Sequence, residues 1–280
     1  LLNWVFNLLI TNEYKSKIIH QSKYQKVKYT VDEMLKYISG CICSMFSYQP
    51  EIMMQSLISK ISQNNEHILM CLFQCKRYQS NVRKNVLKIV TCFIMNGRKH
   101  EIKIFMNNKY GLLKSIKKLL NAEKYKCNVQ ELIFILKIIA NLLNSIKFGD
   151  VYSSIIINDD NFLYLISNGL QSNNAKQCIN AVFAVNNILS SGNKALVKRL
   201  LYWQEGYIIF ACAHFIKNFN EVIINNMELP RWKTLDFAFE AIRKLFHCVV
   251  ALCQEKVISP HYVHFRLYEC SWMEAMQDCD

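Results

Sequence analysis

A helix-length apolar segment recurs along this chain at a nearly constant interval, and few folds accommodate that. Its clearest copy is residues 175–191, AKQCINAVFAVNNILSS, where Ile179, Val182, Phe183, Val185, Ile188 and Leu189 fall at helical spacing and Gly192 follows as a stop signal. Late in this helix a polar residue stands between aliphatics, in Val185-Asn186-Asn187-Ile188, and 46 residues earlier the same device stands in Ile139-Ala140-Asn141-Leu142. If Ser44, Cys92, Asn141, Asn187 and Lys244 mark equivalent points, the intervals are 48, 49, 46 and 57 residues, the last lengthened by the insertion MELPRWKT. Unrelated helices have no reason to keep such a period. A second ruler agrees: Asn64, Gly111, Asn161 and Gly206 open the following helices 20, 19, 20 and 19 residues past their markers. Gly and Asn enter a left-handed conformation cheaply, so the spacing predicts the same backbone corner four times.

The segments between the markers complete the unit. A long helix is expected over 31–47, opened by Thr30 with Glu33 three residues on as a capping box, then a helix from Pro50 over 51–62 and another over 66–77. The next cycles read as 81–95, about 99–107 and a helix from Gly111; then 128–145, VYSSIII and a helix from Asn161; then 175–191, NKALVKRLLYW and a helix from Gly206. A fifth long helix is expected over 234–253. Each unit is a long helix, a short helix, a corner and a medium helix. With only 3 Pro and 7 Gly the chain is poor in turn formers, and 52% hydrophobic residues supply an ample core, so the expectation is an all-α fold. No stretch rich in Pro, Ser or Gly divides it. One continuous body over 1–280 is expected: a cap and basic connector at 1–30, repeats at 31–80, 81–127, 128–174 and 175–233, and a partial repeat with its cap at 234–280.

A three-helix unit of this length resembles the armadillo repeat, whose relatives have periods of roughly 40–47 residues. The likeness is carried by Ile139-Ala140-Asn141-Leu142 and Val185-Asn186-Asn187-Ile188, which match the family's Leu-x-Asn-Leu on the third helix, and by Gly111 and Gly206, which match its turn glycine. About 220 of the 280 residues fit. The resemblance implies a right-handed α-solenoid of about four to five armadillo-like repeats, with the long helices lining a concave groove. In that family a ladder of Asn side chains holds the backbone of an extended peptide, and an amide that both donates and accepts suits that task. Ser44, Cys92 and Lys244 stand at the other ladder positions, leaving two rungs, Asn141 and Asn187. One branch of the family keeps a Trp one turn before the Asn, where this chain has Lys137 and Phe183, so a nuclear-import adaptor is not expected.

The groove reading then names its residues. One turn before the markers come Lys88, Lys137 and Phe183, and Lys84 lies one turn further. With Lys244 these lysines would give the groove basic walls beside Asn141 and Asn187, and the expected partner is an extended, acidic protein segment. The ordinary alternative is that the lysines face outward on amphipathic helices and that each Asn bonds the neighbouring repeat. A net charge of +13, with 34 Lys and Arg scattered along the chain, describes a surface that favours acidic partners. The second class of function is a nucleic-acid-associated module: residues 13–30 interleave Lys15, Lys17, Lys23, Lys26 and Lys28 with Tyr14, Tyr24 and Tyr29, although such charge runs are usually only solvated.

Other chemistry finds little footing. His67, Cys71 and Cys75 lie on one helical stripe too long for a single zinc ion, and His261, His264, Cys270 and Cys279 lack a knuckle, so no metal or cofactor is expected. No phosphate-binding glycine loop, nucleophile elbow or H-E-x-x-H is present, and Asp159 with Asp160 reads as a helix cap, so no enzyme is expected. Twelve cysteines lie mostly within apolar helical patterns such as those of Cys92, Cys178, Cys212 and Cys248, which points to a reducing, intracellular compartment, cytoplasmic or nuclear. The opening LLNWVFNLLITNEYK has neither a basic start nor a cleavage site and is too short to span a bilayer, and the absence of an initiator Met suggests a fragment of a longer protein.

Overall fold

A computed structural model of the protein describes residues 25–53, 55, 80–106, 111–121, 127–148 and 150–218, together with isolated positions between 240 and 262. Among these residues every regular element is helical. The helices are α1 (Gln25–Tyr48), α2 (Ser80–Asn96), α3 (Lys99–Met106), α4 (Leu112–Leu120), α5 (Val129–Leu142), α6 (Ser145–Phe148), α7 (Asp150–Ile157), α8 (Asp160–Leu170), α9 (Ala175–Leu189), α10 (Lys194–Tyr202) and α11 (Tyr207–Lys217), with a 3₁₀ turn at Trp203–Gly206. The expected helix at 66–77, most of those at 51–62 and 234–253, and the corner at Asn64 lie outside the described residues.

The chain divides into two compact units, Leu1–Ile135 and Leu136–Asp280, with the division inside α5. In the first unit α1 packs along α2, and α3 packs on α4. Phe46 from α1 and Val86, Val90, Phe93 and Ile94 from α2 are each no more than 1% exposed. In the second unit the short helices α7 and α10 pack on each other, as do the medium helices α8 and α11, and α8 lies along α9. Like therefore meets like at an interval of one repeat.

Local chemistry explains where these helices start and stop. Asn174 and Asn193 are N-caps whose side chains accept from the backbone N–H groups of Lys176 and Gln177, and of Ala195 and Leu196. Both expected glycine corners take a positive φ, but they are not the same corner: Gly206 is left-handed, with φ 91° and ψ 20°, whereas Gly111 has φ 42° and ψ 128°. No left-handed corner is found at Asn161, which lies inside α8; there Asp159 is an extended N-cap accepting from the Asn161 N–H at 3.1 Å. An Asp side chain satisfies an orphan N–H at the helix start directly, so that corner needs no left-handed residue. The expected start at Thr30 is also corrected. Nothing in Gln25-Lys-Val-Lys-Tyr-Thr30 breaks a helix, and α1 runs through Thr30 from Gln25.

The organising helix α9 buries the face read from its periodicity: Val182, Val185, Ile188 and Leu189 are 6%, 3%, 0% and 4% exposed. Gly169 lets α8 come close to it, since a Cβ there would sit 2.9 Å from that of Ala181 and 3.0 Å from Leu136 Cδ1. No helix among the described residues is long and apolar enough to cross a membrane.

Candidate functional site

The groove residues read from the sequence divide between the two units. Lys84 and Lys88 stand on α2 in the first; Lys84 is half-buried and Lys88 exposed. Both ammonium charges act on Cys43 of α1: burial pushes its thiol up, and Lys88 pulls it the other way by charge and by a hydrogen bond. These two lysines thus line the seam where α1 meets α2.

In the second unit Lys137, Asn141, Phe183, Asn187 and Lys244 are all half-buried. The two Asn residues have different tasks. Asn141 Nδ2 donates to the Lys137 carbonyl at 2.7 Å, one turn back on its own helix. Asn187 Nδ2 donates at 2.7 Å to the Ala140 carbonyl, 47 residues earlier. The second contact fastens successive long helices, as the alternative reading of these residues describes. One N–H of each amide is thereby engaged, and each retains its Oδ1 and a second N–H. Lys244 is drawn to the end of α9, where its Nζ donates to Ser190 Oγ at 3.0 Å, and it lies 3.4 Å from Glu240 Oε1. A cation at the C-terminus of a helix is favourably placed. The Arg243 guanidinium bonds the same Glu240 and, with Lys244, holds its carboxyl down at about 2.

Other polar contacts between repeats were not read from the sequence. Glu131 is wholly buried and Arg83 nearly so, and Arg83 Nε donates to Glu131 Oε1 at 2.8 Å. Glu131 also closes a capping box: its Oε2 accepts from the Asn128 N–H while its own N–H donates to Asn128 Oδ1, each at 2.9 Å. The pattern Asn128-x-x-Glu131 could have been found as a helix start, whereas Arg83 as its partner could not. Asp160, expected as a cap residue, reaches instead to the following repeat. Its Oδ1 accepts from Arg199 at 2.9 Å and from the Trp203 indole N–H at 3.0 Å. Around that indole Tyr164 and Tyr207 pack edge-on, and Phe210 stacks on Tyr207.

Among the described residues no group of three or more His, Cys, Asp or Glu is placed to hold a metal ion. His67, Cys71, Cys75, His264, Cys270 and Cys279 lie outside them.

Among the described residues these helices define an all-α protein, with polar side-chain contacts from α2 to α5 and from α9 to α5 joining long helices. No protein-family model matches the chain, and no curated protein matches it. Among matching solved structures is the crystal structure of an engineered protein from the Northeast Structural Genomics Consortium, 14% identical, with a TM-score of 0.48 and coverage of 87% of this chain and 97% of that one.

Proposed function

We propose that the protein is a non-catalytic interaction scaffold, a right-handed α-solenoid of about four to five armadillo-like repeats that holds an extended acidic segment of a partner protein along its long helices. The observation that supports this most is the packing of like on like: α7 on α10, α8 on α11, and Asn187 of α9 bonded to the backbone of α5. Helices that stack in this way present the same turn of each long helix repeatedly, which is how repeat proteins build extended binding surfaces. The residues offered are Lys84 and Lys88 in the first unit, and Lys137, Asn141, Phe183, Asn187 and Lys244 in the second.

Lysine supplies the attraction in this reading, and the remaining Oδ1 and N–H of each Asn can meet a peptide backbone. A reducing compartment suits it, since Cys41, Cys43, Cys127, Cys178 and Cys253 are thiols rather than disulfides.

The test is affinity capture from a cell extract with and without nuclease, followed by mapping of the captured proteins. Partners that survive nuclease and bind through acidic segments support the scaffold. Loss of every partner on nuclease treatment would move the function to nucleic acid.

A further inference from the structure

The positive charge of this chain is concentrated. Residues 80–121 hold ten Lys and Arg against a single acid, Glu101, so nine of the thirteen net charges fall within 42 residues. Glu101 does little to offset them at the surface, because it is 9% exposed and its Oε2 accepts from the Arg98 N–H at 2.7 Å as a cap of α3. Helix α3 buries Ile102 and turns Lys99, His100 and Lys103 outward, with Arg98 exposed just before it. Helix α4 buries Leu112, Leu113, Ser115 and Ile116 and turns Lys114 and Lys118 outward. The two helices pack on each other. Two successive helices in contact therefore have outward stripes that are basic, and no described acid is exposed between residues 80 and 121.

We propose that the outward stripes of α3 and α4 are the docking surface for an extended acidic polypeptide segment of a partner. The proposal rests on the scaffold reading above and adds the outward lysines of the short and medium helices to the anchoring charge that Lys84 and Lys88 supply. Charge complementarity commits the surface to an anion, since like charges on the exposed sides of two helices in contact repel one another until something neutralises them. Two features favour carboxylates over nucleic acid. No Phe, Tyr or Trp described between 80 and 121 is exposed, so the bases of a single strand find only the His100 ring to stack on. The exposed cations are mostly lysines, point charges that lack the planar fork with which arginine grips phosphate in two places. The spacing also fits: Lys99 and Lys103, and Lys114 and Lys118, are four residues apart on a helix, about 6 Å along its axis. Side chains on one face of an extended peptide repeat every two residues, about 6.6 Å.

The experiment is fluorescence anisotropy on the full chain with a labelled peptide of about 12 residues alternating Glu and Ser, and with duplex DNA of equal formal charge. Four proteins are compared: wild type, K99Q/K103Q/K114Q/K118Q, the charge-retaining K99R/K103R/K114R/K118R, and K176Q/K217Q, which removes two exposed lysines of the second unit, with circular dichroism establishing that each is folded. The expected result is that the peptide binds wild type and the Arg variant alike, loses about tenfold or more in affinity to the fourfold Gln variant, and loses less than about threefold to K176Q/K217Q. A loss with K176Q/K217Q as large as with the fourfold variant would overturn the inference and leave the scaffold reading in place. Duplex DNA binding more tightly than the peptide would overturn the inference and favour nucleic acid. Failure of wild type to bind the peptide would also overturn it, and persistence of nuclease-resistant protein partners in the capture experiment tells whether the scaffold reading falls with it.

Discussion

Asn187 directs an amide N–H to the Ala140 carbonyl, and that contact sets what its removal should do. Asn187→Ala removes one half-buried hydrogen bond between long helices, so a loss of about 0.5–1.5 kcal/mol in urea unfolding is expected, with an unchanged midpoint ruling out the tie. Its neighbour Ile188 is 0% exposed, and trimming it to Ala should cost about 2–5 kcal/mol, because the packed face of α9 cannot close around the missing atoms. Both positions were legible in the sequence, since an Asn amid aliphatics at helical spacing has to be either a rung or a tie. Which of the two it is depends on the backbone 47 residues away, and periodicity does not place that backbone. Cys178 carries a different signal. Burial pushes its thiol up to about 12, against two weaker backbone hydrogen bonds, and its Sγ–H donates to the Ser172 carbonyl at 2.8 Å. A raised native pKa means that the neutral thiol is the favoured form in the fold. The stability it contributes is whole below the thiol's ordinary value of 9.0 and is lost as pH rises from there toward about 12. Between pH 8 and 11 the urea midpoint of wild type should therefore fall more steeply than that of Cys178→Ala, and parallel curves would refute this.

At the scale of elements, helix existence follows from composition and period, while the polar contacts between helices follow from tertiary geometry. Among the described residues long, short and medium helices recur because apolar spacing, Asn and Asp caps and scarce Pro all favour them, although the helix expected over 128–145 ends at Leu142 and the separate short helix α6 follows. The start of α1 was misplaced because a capping-box pattern at Thr30 does not act as a stop when the preceding residues are helix-compatible. The corner at Asn161 was misread because Asp159 performs it by a side-chain cap. The Arg83–Glu131 pair was not legible at all. It joins α2 to the start of α5 in a buried site, so removing one partner leaves an uncompensated charge. Glu131→Ala should cost about 3–5 kcal/mol, whereas the double change Arg83→Met with Glu131→Leu should recover most of that loss, as measured by a double-mutant cycle. A double variant as unstable as the single would mean that the cap at Asn128, rather than the ion pair, carries the effect. The turn from α10 to α11 is a further case: Gln204, Glu205 and Gly206 are all left-handed, at φ 44°, 56° and 91°. Only the last is glycine. The two side-chain-bearing residues are held there by their surroundings, including a contact from the Gln204 amide to the Tyr164 hydroxyl, so backbone strain is already stored at this corner.

For the whole molecule the decisive quantity is where the charge lies. Read as a total, +13 describes a uniformly basic surface; read by segment, most of it crowds onto α2, α3 and α4. The total was legible, but its consequence needed the burial of Glu101 and the outward turn of the lysines, because an exposed acid beside them would have neutralised the stripes. Crowded like charges destabilise the fold that holds them, and added salt screens exposed charges beyond a Debye length of about 10 Å at 0.1 M. Ordinary surface ion pairs such as Lys194–Glu255 are weakened by the same salt, but each is worth only about 0–1 kcal/mol. The melting temperature should therefore rise as sodium chloride goes from about 10 to 300 mM, where screening rather than salting-out dominates. A relief of about 1 kcal/mol corresponds to roughly 2–4 °C for a chain somewhat smaller than this one. K99Q/K103Q/K114Q/K118Q should melt higher than wild type at low salt and should lose most of the salt dependence, since the repulsion it lacks is the one that salt relieves. If wild type instead melts lower as salt is added, attractive pairs outweigh the repulsion, and the crowding of charge on α3 and α4 is not the dominant electrostatic feature of the fold.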